Sequence, residues 1–125
     1  IINTTVVSGH GREDTTNFTS TDKLYLLAPG EVWSDWKTNT SSDRPSFDTA
    51  KDLTRTLDYY TAQGVTLSNF SGAIKKKGTS AYWWWLRTAM FGDRESFSDV
   101  RSRGGWDNNV ATNTTLGVSP AFRLG

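Results

Sequence analysis

The chain contains an unbroken run of four aromatic residues and a leucine, Tyr82-Trp83-Trp84-Trp85-Leu86. Four adjacent rings are too costly to leave in water, because each would expose roughly 150–250 Å² of largely apolar surface. A strand that is covered on both faces accommodates such a run. We therefore predict a central strand over Tyr82–Leu86. The predicted anchors of the core and its strands are Trp83, Trp84, Trp85, Leu86, Val100, Ala121 and Phe122.

A second apolar segment follows about thirty residues later, at Gly117–Leu124. Between the two segments, residues 88–116 are mostly Gly, Asn, Asp, Ser, Thr and Arg. A polar stretch held at both ends by rigid strands is typical of a displayed surface, since binding residues concentrate on loops positioned by a scaffold. This organisation favours a binding protein over an enzyme, and residues 88–116 are the candidate ligand-binding region.

Composition limits the classes of partner. The 125 residues correspond to one domain, 1–125, and the 14 basic and 13 acidic residues nearly cancel. No net field therefore draws the chain to nucleic acid or to anionic lipid, and neither is a predicted partner. There is no cysteine, and no apolar run approaches the roughly 20 residues of a membrane span, so membrane insertion is not expected. The chain starts at Ile1 without a methionine, which suggests the C-terminal domain of a longer protein.

The order of apolar runs and breakers predicts the elements. Helices are expected through Pro29–Trp36, with Trp33 and Trp36 on one face, and from about Ser46 or Asp48 to a stop at Gly64. Loops or turns are expected at Ser8–Ser20 and Lys75–Gly78. The predicted strands are Ile1–Val7, Lys23–Leu27, Tyr82–Leu86, Phe97–Arg103, a short strand from Trp106, and Val118–Leu124. The fold class is α+β, with a mixed, mainly antiparallel sheet and two helices.

No catalytic constellation is evident. The single histidine, His10, lies in a glycine-flanked loop that is typical of a mobile surface residue. Carboxylates occur at Asp93, Glu95, Asp99 and Asp107, outside any recognisable acid/base motif. The lysines of 75–77 are expected to be solvated rather than phosphate-binding. We therefore predict a non-catalytic domain without a cofactor.

Five segments resemble a known domain family. They are Thr21–Leu27, Arg55–Val65, Ser71–Lys75, Tyr82–Arg87 and Gly117–Arg123, and the pair Trp-Trp-Leu-Arg and Gly-Val-Ser-Pro-Ala-Phe-Arg is the most specific part. The family is a domain of unknown function from gut clostridial and phage genomes. It is similar to the C-type lectin-fold variable proteins of diversity-generating retroelements. The resemblance implies a C-type lectin-like fold, and a place on a virion tail or at a cell surface.

In such systems, mutagenic copying of template adenines diversifies a C-terminal region. Most polar residues of 88–116 are accessible from a randomised asparagine codon, whereas Met90, Glu95 and Trp106 are not. Enzymes that share the fold, the formylglycine-generating enzymes, depend on cysteines that this chain lacks. The segment Trp106-Asp107-Asn108-Asn109 resembles the calcium-binding triplet of C-type lectins with its polar order changed, but the second half of that site is missing, so no metal site is predicted.

The predicted ligand is a protein or glycan on a cell surface, bound by side chains on one exposed face. The predicted contacts are Phe91, Asp93, Arg94, Asp99, Arg101, Arg103, Trp106, Asp107, Asn108 and Asn109. Two alternatives stay open. One is a carbohydrate-binding or wall-hydrolase-associated domain, in which exposed Trp106 and Phe91 stack on sugars and Asp99 and Asp107 act as carboxylates. The other is a structural assembly domain.

Overall fold

Along the described part of the chain, two strands are followed by two short α-helices and then by five further strands. The computed structural model describes residues 1–9, 17–39, 55–90 and 95–125. The strands are β1 Thr4–Gly9, β2 Asn17–Asp22, β3 Lys75–Lys77, β4 Ser80–Tyr82, β5 Trp84–Ala89, β6 Ser96–Val100 and β7 Trp106–Val110, and the helices are α1 Pro29–Val32 and α2 Asp58–Ala62. Single 3-10 turns lie at Trp36–Thr38 and Ser71–Ala73. The predicted α+β class is confirmed at this level.

The strands form three small antiparallel sheets. β1 pairs with β2, β3 pairs with β4, and β5, β6 and β7 make a three-stranded sheet with β6 in the centre. Three isolated bridges connect distant segments: Ile2 with Arg123, Tyr25 with Ala121, and Trp84 with Gly117. The C-terminal segment is therefore attached to the rest of the domain at several points without forming a strand of its own.

Tryptophan side chains fill the core. Trp33 and Trp84 are buried, and their indole N–H groups donate to the carbonyls of Gly104 at 3.2 Å and Ala73 at 3.1 Å. The predicted helix through Trp36 is wrong beyond Val32, because Trp33 is extended and Trp36 begins a separate 3-10 turn. The two rings nevertheless meet in the core, with their centroids 5.8 Å apart. Pro29 opens α1, as its fixed φ favours. These rings pack with Leu27, Val32, Tyr60, Val65, Ala73, Leu86, Met90 and Val100.

The aromatic run does not form a single strand covered on both faces, so that prediction is wrong. Tyr82 ends β4, Trp83 lies between strands and is 37% exposed, and β5 begins at Trp84. Along β5, buried side chains alternate with half-buried ones, which is typical of an antiparallel sheet with one face on the core. Of the predicted core anchors, Trp84, Leu86 and Val100 are buried in the core. Trp85 and Ala121 are half-buried. Phe122 is 51% exposed and does not belong to the core.

Other boundaries also differ from the predictions. The expected strands over Lys23–Leu27 and Val118–Leu124 reduce to isolated bridges, and Pro120 has no N–H to extend a ladder. The expected loop at Ser8–Ser20 ends early, because β2 begins at Asn17. Lys75–Lys77 is a strand, and the turn follows it.

The second helix is shorter at its N-terminal end than its apolar spacing suggests. α2 begins at Asp58, with Leu57 extended before it, and the predicted start at Ser46 or Asp48 lies outside the described residues, as does His10. The helix ends at Ala62, and Gly64 follows with φ of 68°, a conformation that glycine adopts without strain, so the predicted stop is confirmed. Among the described residues, no helix has the length and apolar character needed to cross a bilayer.

The contrast between Trp83 and Trp84 is testable. Trp84→Ala removes a ring that is 2% exposed and leaves a cavity, so we expect the free energy of unfolding to fall by about 3–5 kcal/mol. Trp83→Ala removes an adjacent ring that is 37% exposed and stacks against Arg101, and it should cost no more than about 1–2 kcal/mol. Urea denaturation of both variants measures the difference, and equal losses would contradict the assignment of Trp84 alone to the core.

Candidate functional site

The two faces of the three-stranded sheet differ in their surroundings. Register places Trp84 opposite Val100, and both side chains lie in the core. On the next rung Trp85, Asp99 and Asp107 are cross-strand neighbours, one from each strand. Because side chains alternate along a strand, this second set lies on the face directed away from the core. We call this second face the outer sheet face.

An apolar groove crosses the outer sheet face. It has a volume of about 370 Å³ and is lined by Leu26, Trp85, Leu86, Arg87, Phe97 and Ala111. Phe97 is 38% exposed, which is high for a ring in the central strand of a sheet. Large apolar side chains on an accessible concave surface are typical of binding sites.

Arg101 lies at one end of the outer sheet face, just after β6. Its guanidinium carbon is 3.9 Å from the centroid of the Trp83 ring. One terminal nitrogen is 3.2 Å from a carboxylate oxygen of Asp107 and donates to the carbonyl of Asn108 at 2.9 Å. The other Asp107 oxygen accepts from the backbone and side-chain nitrogens of Asn108. Arg101 is therefore held by a ring, a carboxylate and a carbonyl at once.

Asp99 lies beneath this arginine and is fully buried. Its Oδ1 is 3.3 Å from Arg101 Nε, but neither oxygen accepts a hydrogen bond from a described residue. Burial raises the pKa of the Asp99 carboxyl to about 6; Arg101 opposes this shift and Asp107 adds to it. At neutral pH the Asp99 carboxylate is therefore charged, although it is buried away from water.

The structure brings together only part of the predicted contact set. Asp99, Arg101, Asp107 and Asn108 form one connected cluster. Arg103 is exposed in the adjoining turn. Asn109 is half-buried, and its side-chain oxygen Oδ1 accepts a hydrogen bond from Asn113 Nδ2 at 3.1 Å. The predicted contacts Phe91, Asp93 and Arg94 lie outside the described residues.

Two of the predicted contacts are corrected. Asp99 is not on an exposed face, because the chain on both sides of the central strand covers it completely. Trp106 is not an exposed aromatic anchor: it packs against the core, with its ring centroid 5.3 Å from that of Trp36. Conversely, Trp83, Trp85 and Phe97 contribute to the surface and were not predicted to do so. The alternation of Phe97, Asp99 and Arg101 along one strand was the available signal for Phe97.

The acidic side chains do not form a metal centre in the part of the chain that the structure describes. No three His, Cys, Asp or Glu side chains there are grouped so that they could hold an ion. The closest acidic pair, Asp99 and Asp107, shares Arg101, whose positive charge occupies the place that a cation would need.

This chain belongs to the domain family DUF6273, a domain of unknown function, whose family model matches residues 1–125. No curated protein and no solved structure matches the chain. The family description names neither an activity nor a ligand.

The raised pKa of Asp99 predicts a pH dependence of stability. Above about pH 6 the folded protein carries a buried charge, whereas the unfolded chain carries the same charge in water. Between about pH 6 and the ordinary value of 3.8 the folded form takes up a proton first, so acidification stabilises it.

We therefore expect the Asp99 contribution to rise by about 1 kcal/mol between pH 7 and pH 5. Urea denaturation of the wild type and of Asp99→Asn at both pH values isolates this term, since the other carboxyls are common to the two proteins. A pH-independent difference between the two would show that Asp99 is not the titrating group.

Proposed function

We propose that this DUF6273 domain is a non-catalytic ligand-binding domain that recognises a protein or glycan on a cell surface through its outer sheet face. The observation that carries the proposal is the accessible aromatic groove with a charged and polar rim. Trp85 and Phe97 line the groove. Strand pairing places Asn109 opposite Phe97, and Asp107 with Arg101 further along the same face; these three residues are called the rim, and Arg103 is exposed in the adjoining turn.

This arrangement has the anatomy of a recognition surface. Aromatic and arginine side chains dominate the binding energy of interfaces, and a polar rim excludes water around them. Short Asp and Asn side chains supply hydrogen bonds that adapt to different partners. The groove offers aromatic rings, and β7 offers the short polar side chain of Asn109, which lies opposite Phe97.

The rim is also preorganised. Arg101 is long and flexible in isolation, but its contacts with Trp83, Asp107 and the Asn108 carbonyl fix it before a ligand arrives. Binding then loses little side-chain entropy at this position, since ordering costs about 0.5–1.5 kcal/mol for each immobilised long side chain. A rigid surface with exchangeable side chains suits a domain whose specificity is changed by substitution.

The burial of Asp99 favours binding over the wall-hydrolase alternative. A general acid must come within hydrogen-bonding distance of the substrate atom that it protonates. Asp99, whose raised pKa would suit that role, has no exposed surface, and Asp107 is engaged by Arg101 and Asn108.

A C-type lectin-like scaffold belongs to the same proposal. One support is the combination of two short helices with antiparallel sheets. The other is that both ends of the 88–116 region are attached to the domain. Trp84 and Leu86 before it lie in the core, and Gly117 after it forms a bridge with Trp84. A position on a virion tail or at a cell surface follows from the resemblance to retroelement variable proteins.

The retroelement hypothesis makes a position-specific prediction. Deep sequencing of the gene in its host population should find variation at exposed positions such as Arg103 and Thr112, with a nearby repeat and reverse transcriptase. Gly104 should not vary, because it has φ of 94° and an added Cβ would lie 1.9 Å from the Phe70 carbonyl oxygen. An invariant 88–116 segment would refute diversification and leave a fixed binding domain.

Ligand binding at the outer sheet face is tested with the fluorescently labelled domain on a panel of bacterial cells and on a glycan array. We expect Phe97→Ser and Arg103→Ala each to weaken binding about tenfold, as loss of an interface anchor does. Arg101 is not a suitable target for substitution, because its removal also leaves the carboxylates of Asp99 and Asp107 without their cationic partner.

Tyr59→Ser is the matched control, since Tyr59 is an exposed aromatic on α2 and is not among the residues lining the outer sheet face. It should bind as the wild type does. Thermal melting confirms that each variant is folded. Wild-type binding by both Phe97→Ser and Arg103→Ala would reject the outer sheet face as the recognition surface.

A further inference from the structure

A second groove lies beside the hairpin of β3 and β4, separate from the outer sheet face. Its volume is about 450 Å³, within the range of small-ligand sites. A smaller concavity of about 340 Å³ continues it past Trp83 to Ser102, and the two share Tyr82, Trp83 and Thr115. We call the combined feature the lysine groove. The larger part is lined by Lys75, Lys76, Lys77, Tyr82, Trp83, Trp84 and the segment Thr114–Ser119.

One wall of the lysine groove is positively charged. Lys75 pairs with Tyr82 and Lys77 with Ser80 across the hairpin, so alternation places both lysines on the same face. Lys75 Nζ is 4.9 Å from the Trp84 ring centroid, and Lys77 Nζ is 5.4 Å from that of Tyr82. Burial lowers the pKa of Lys75, which shows that its ammonium group is partly removed from water. None of the described residues that line the groove is acidic, so no carboxylate there neutralises these charges.

The floor and the opposite wall supply rings and hydroxyls. Trp83 is 37% exposed and lines both concavities, although Arg101 stacks on part of its ring at 3.9 Å. The opposite wall contributes the hydroxyls of Thr114, Thr115 and Ser119. Gly117 holds this wall against the floor, since its N–H donates to the Trp83 carbonyl at 2.7 Å and its carbonyl accepts from the Trp85 N–H at 3.0 Å.

We propose that the lysine groove binds an acidic glycan, a chain of sugar rings that carry carboxylate or phosphate groups. The apolar face of a sugar ring would stack on Trp83, its hydroxyls would bond to the threonine and serine side chains, and its anionic groups would pair with Lys75 and Lys77. The elongated shape of the two joined concavities suits a chain rather than a single compact ligand. The inference goes beyond the proposed function, because it assigns a ligand class to a groove distinct from the outer sheet face.

A single-stranded nucleic acid is the main competing ligand for a basic, aromatic groove. Such ligands are held by several successive stacking rings and by a surface charged along the whole backbone. Here one accessible tryptophan and one tyrosine line the groove, and the chain as a whole carries a formal charge of only +1. The hydroxyl-bearing wall also matches the hydroxyls of sugars. These features favour the glycan.

The test uses the full chain in isothermal titration calorimetry with three matched glycan probes: oligogalacturonate, its methyl ester, and a phosphate-bearing oligosaccharide. An oligothymidylate is titrated alongside them as the competing ligand. The ester has the same rings without charge. We expect binding of one or both charged glycans and loss of binding to the ester. The preferred charged probe tells whether carboxylate or phosphate is the recognised group.

Two variants locate the site. Lys75→Gln combined with Lys77→Gln should weaken binding about tenfold, as the loss of two partly exposed charge contacts predicts. Lys23→Gln, at an exposed lysine that does not line the groove, should bind as the wild type does. Trp83→Ala, checked for folding by thermal melting, should also lose affinity.

Equal affinity for oligogalacturonate and its ester, an unaffected double lysine variant, or no binding of any charged glycan would overturn the proposal. Tighter binding of an oligothymidylate than of either charged glycan would replace it with a nucleic-acid groove. Phe97→Ser and Arg103→Ala should bind the charged glycan normally, so failure at the lysine groove is distinguishable from failure at the outer sheet face.

Discussion

The buried guanidinium of Arg87 connects parts of the chain that are far apart in sequence. It donates to the Val7 carbonyl at 2.8 and 3.1 Å and to the Leu26 carbonyl at 3.0 Å, and it pairs with a carboxylate oxygen of Glu31 at 2.5 Å. Both charged side chains are about nine-tenths buried. A buried charge is tolerated only when its hydrogen-bonding capacity is used, and here β1, the segment before α1, and α1 itself all supply partners to one residue of β5.

This interaction explains local features that are otherwise weak. α1 has only four residues, too few for a stable isolated helix, yet the Glu31 carboxylate that receives Arg87 also accepts the Ala28 N–H at 2.8 Å and so closes the first turn. The Arg87 N–H donates to the Leu27 carbonyl at 2.9 Å, which fixes β5 beside the same segment. Arg87 and Trp85 lie two residues apart on the same face of β5, whereas Trp84 and Leu86 lie on the core face. The ion pair therefore attaches the Trp85 side of β5 to β1 and α1.

Local signals predicted the local features well. Pro29 at the first helical turn and Gly64 after α2 each act within a few residues, and both are confirmed. The i, i+3 spacing of Trp33 and Trp36 did not produce one helix, because α1 ends at Val32. Features set by the pairing of one segment with another were missed. Lys75–Lys77 has no strand-like composition and is a strand because β4 pairs with it. The exposure of Trp83 depends on where one hairpin ends and the next strand begins, and an aromatic run contains no signal for that boundary.

The same limit applies to the candidate site. Asp99 and Arg101 stood out as polar residues of an alternating strand, but only the placement of β6 between β5 and β7 buries one of them and leaves the other partly exposed. That burial has a consequence for both proposed surfaces. A carboxylate that lacks hydrogen bonds is stabilised chiefly by Arg101, so the arginine is restrained from below by Asp99 and from the side by Asp107. Restrained in this way, Arg101 forms the rim of the outer sheet face and covers part of Trp83, whose remaining surface lines the lysine groove.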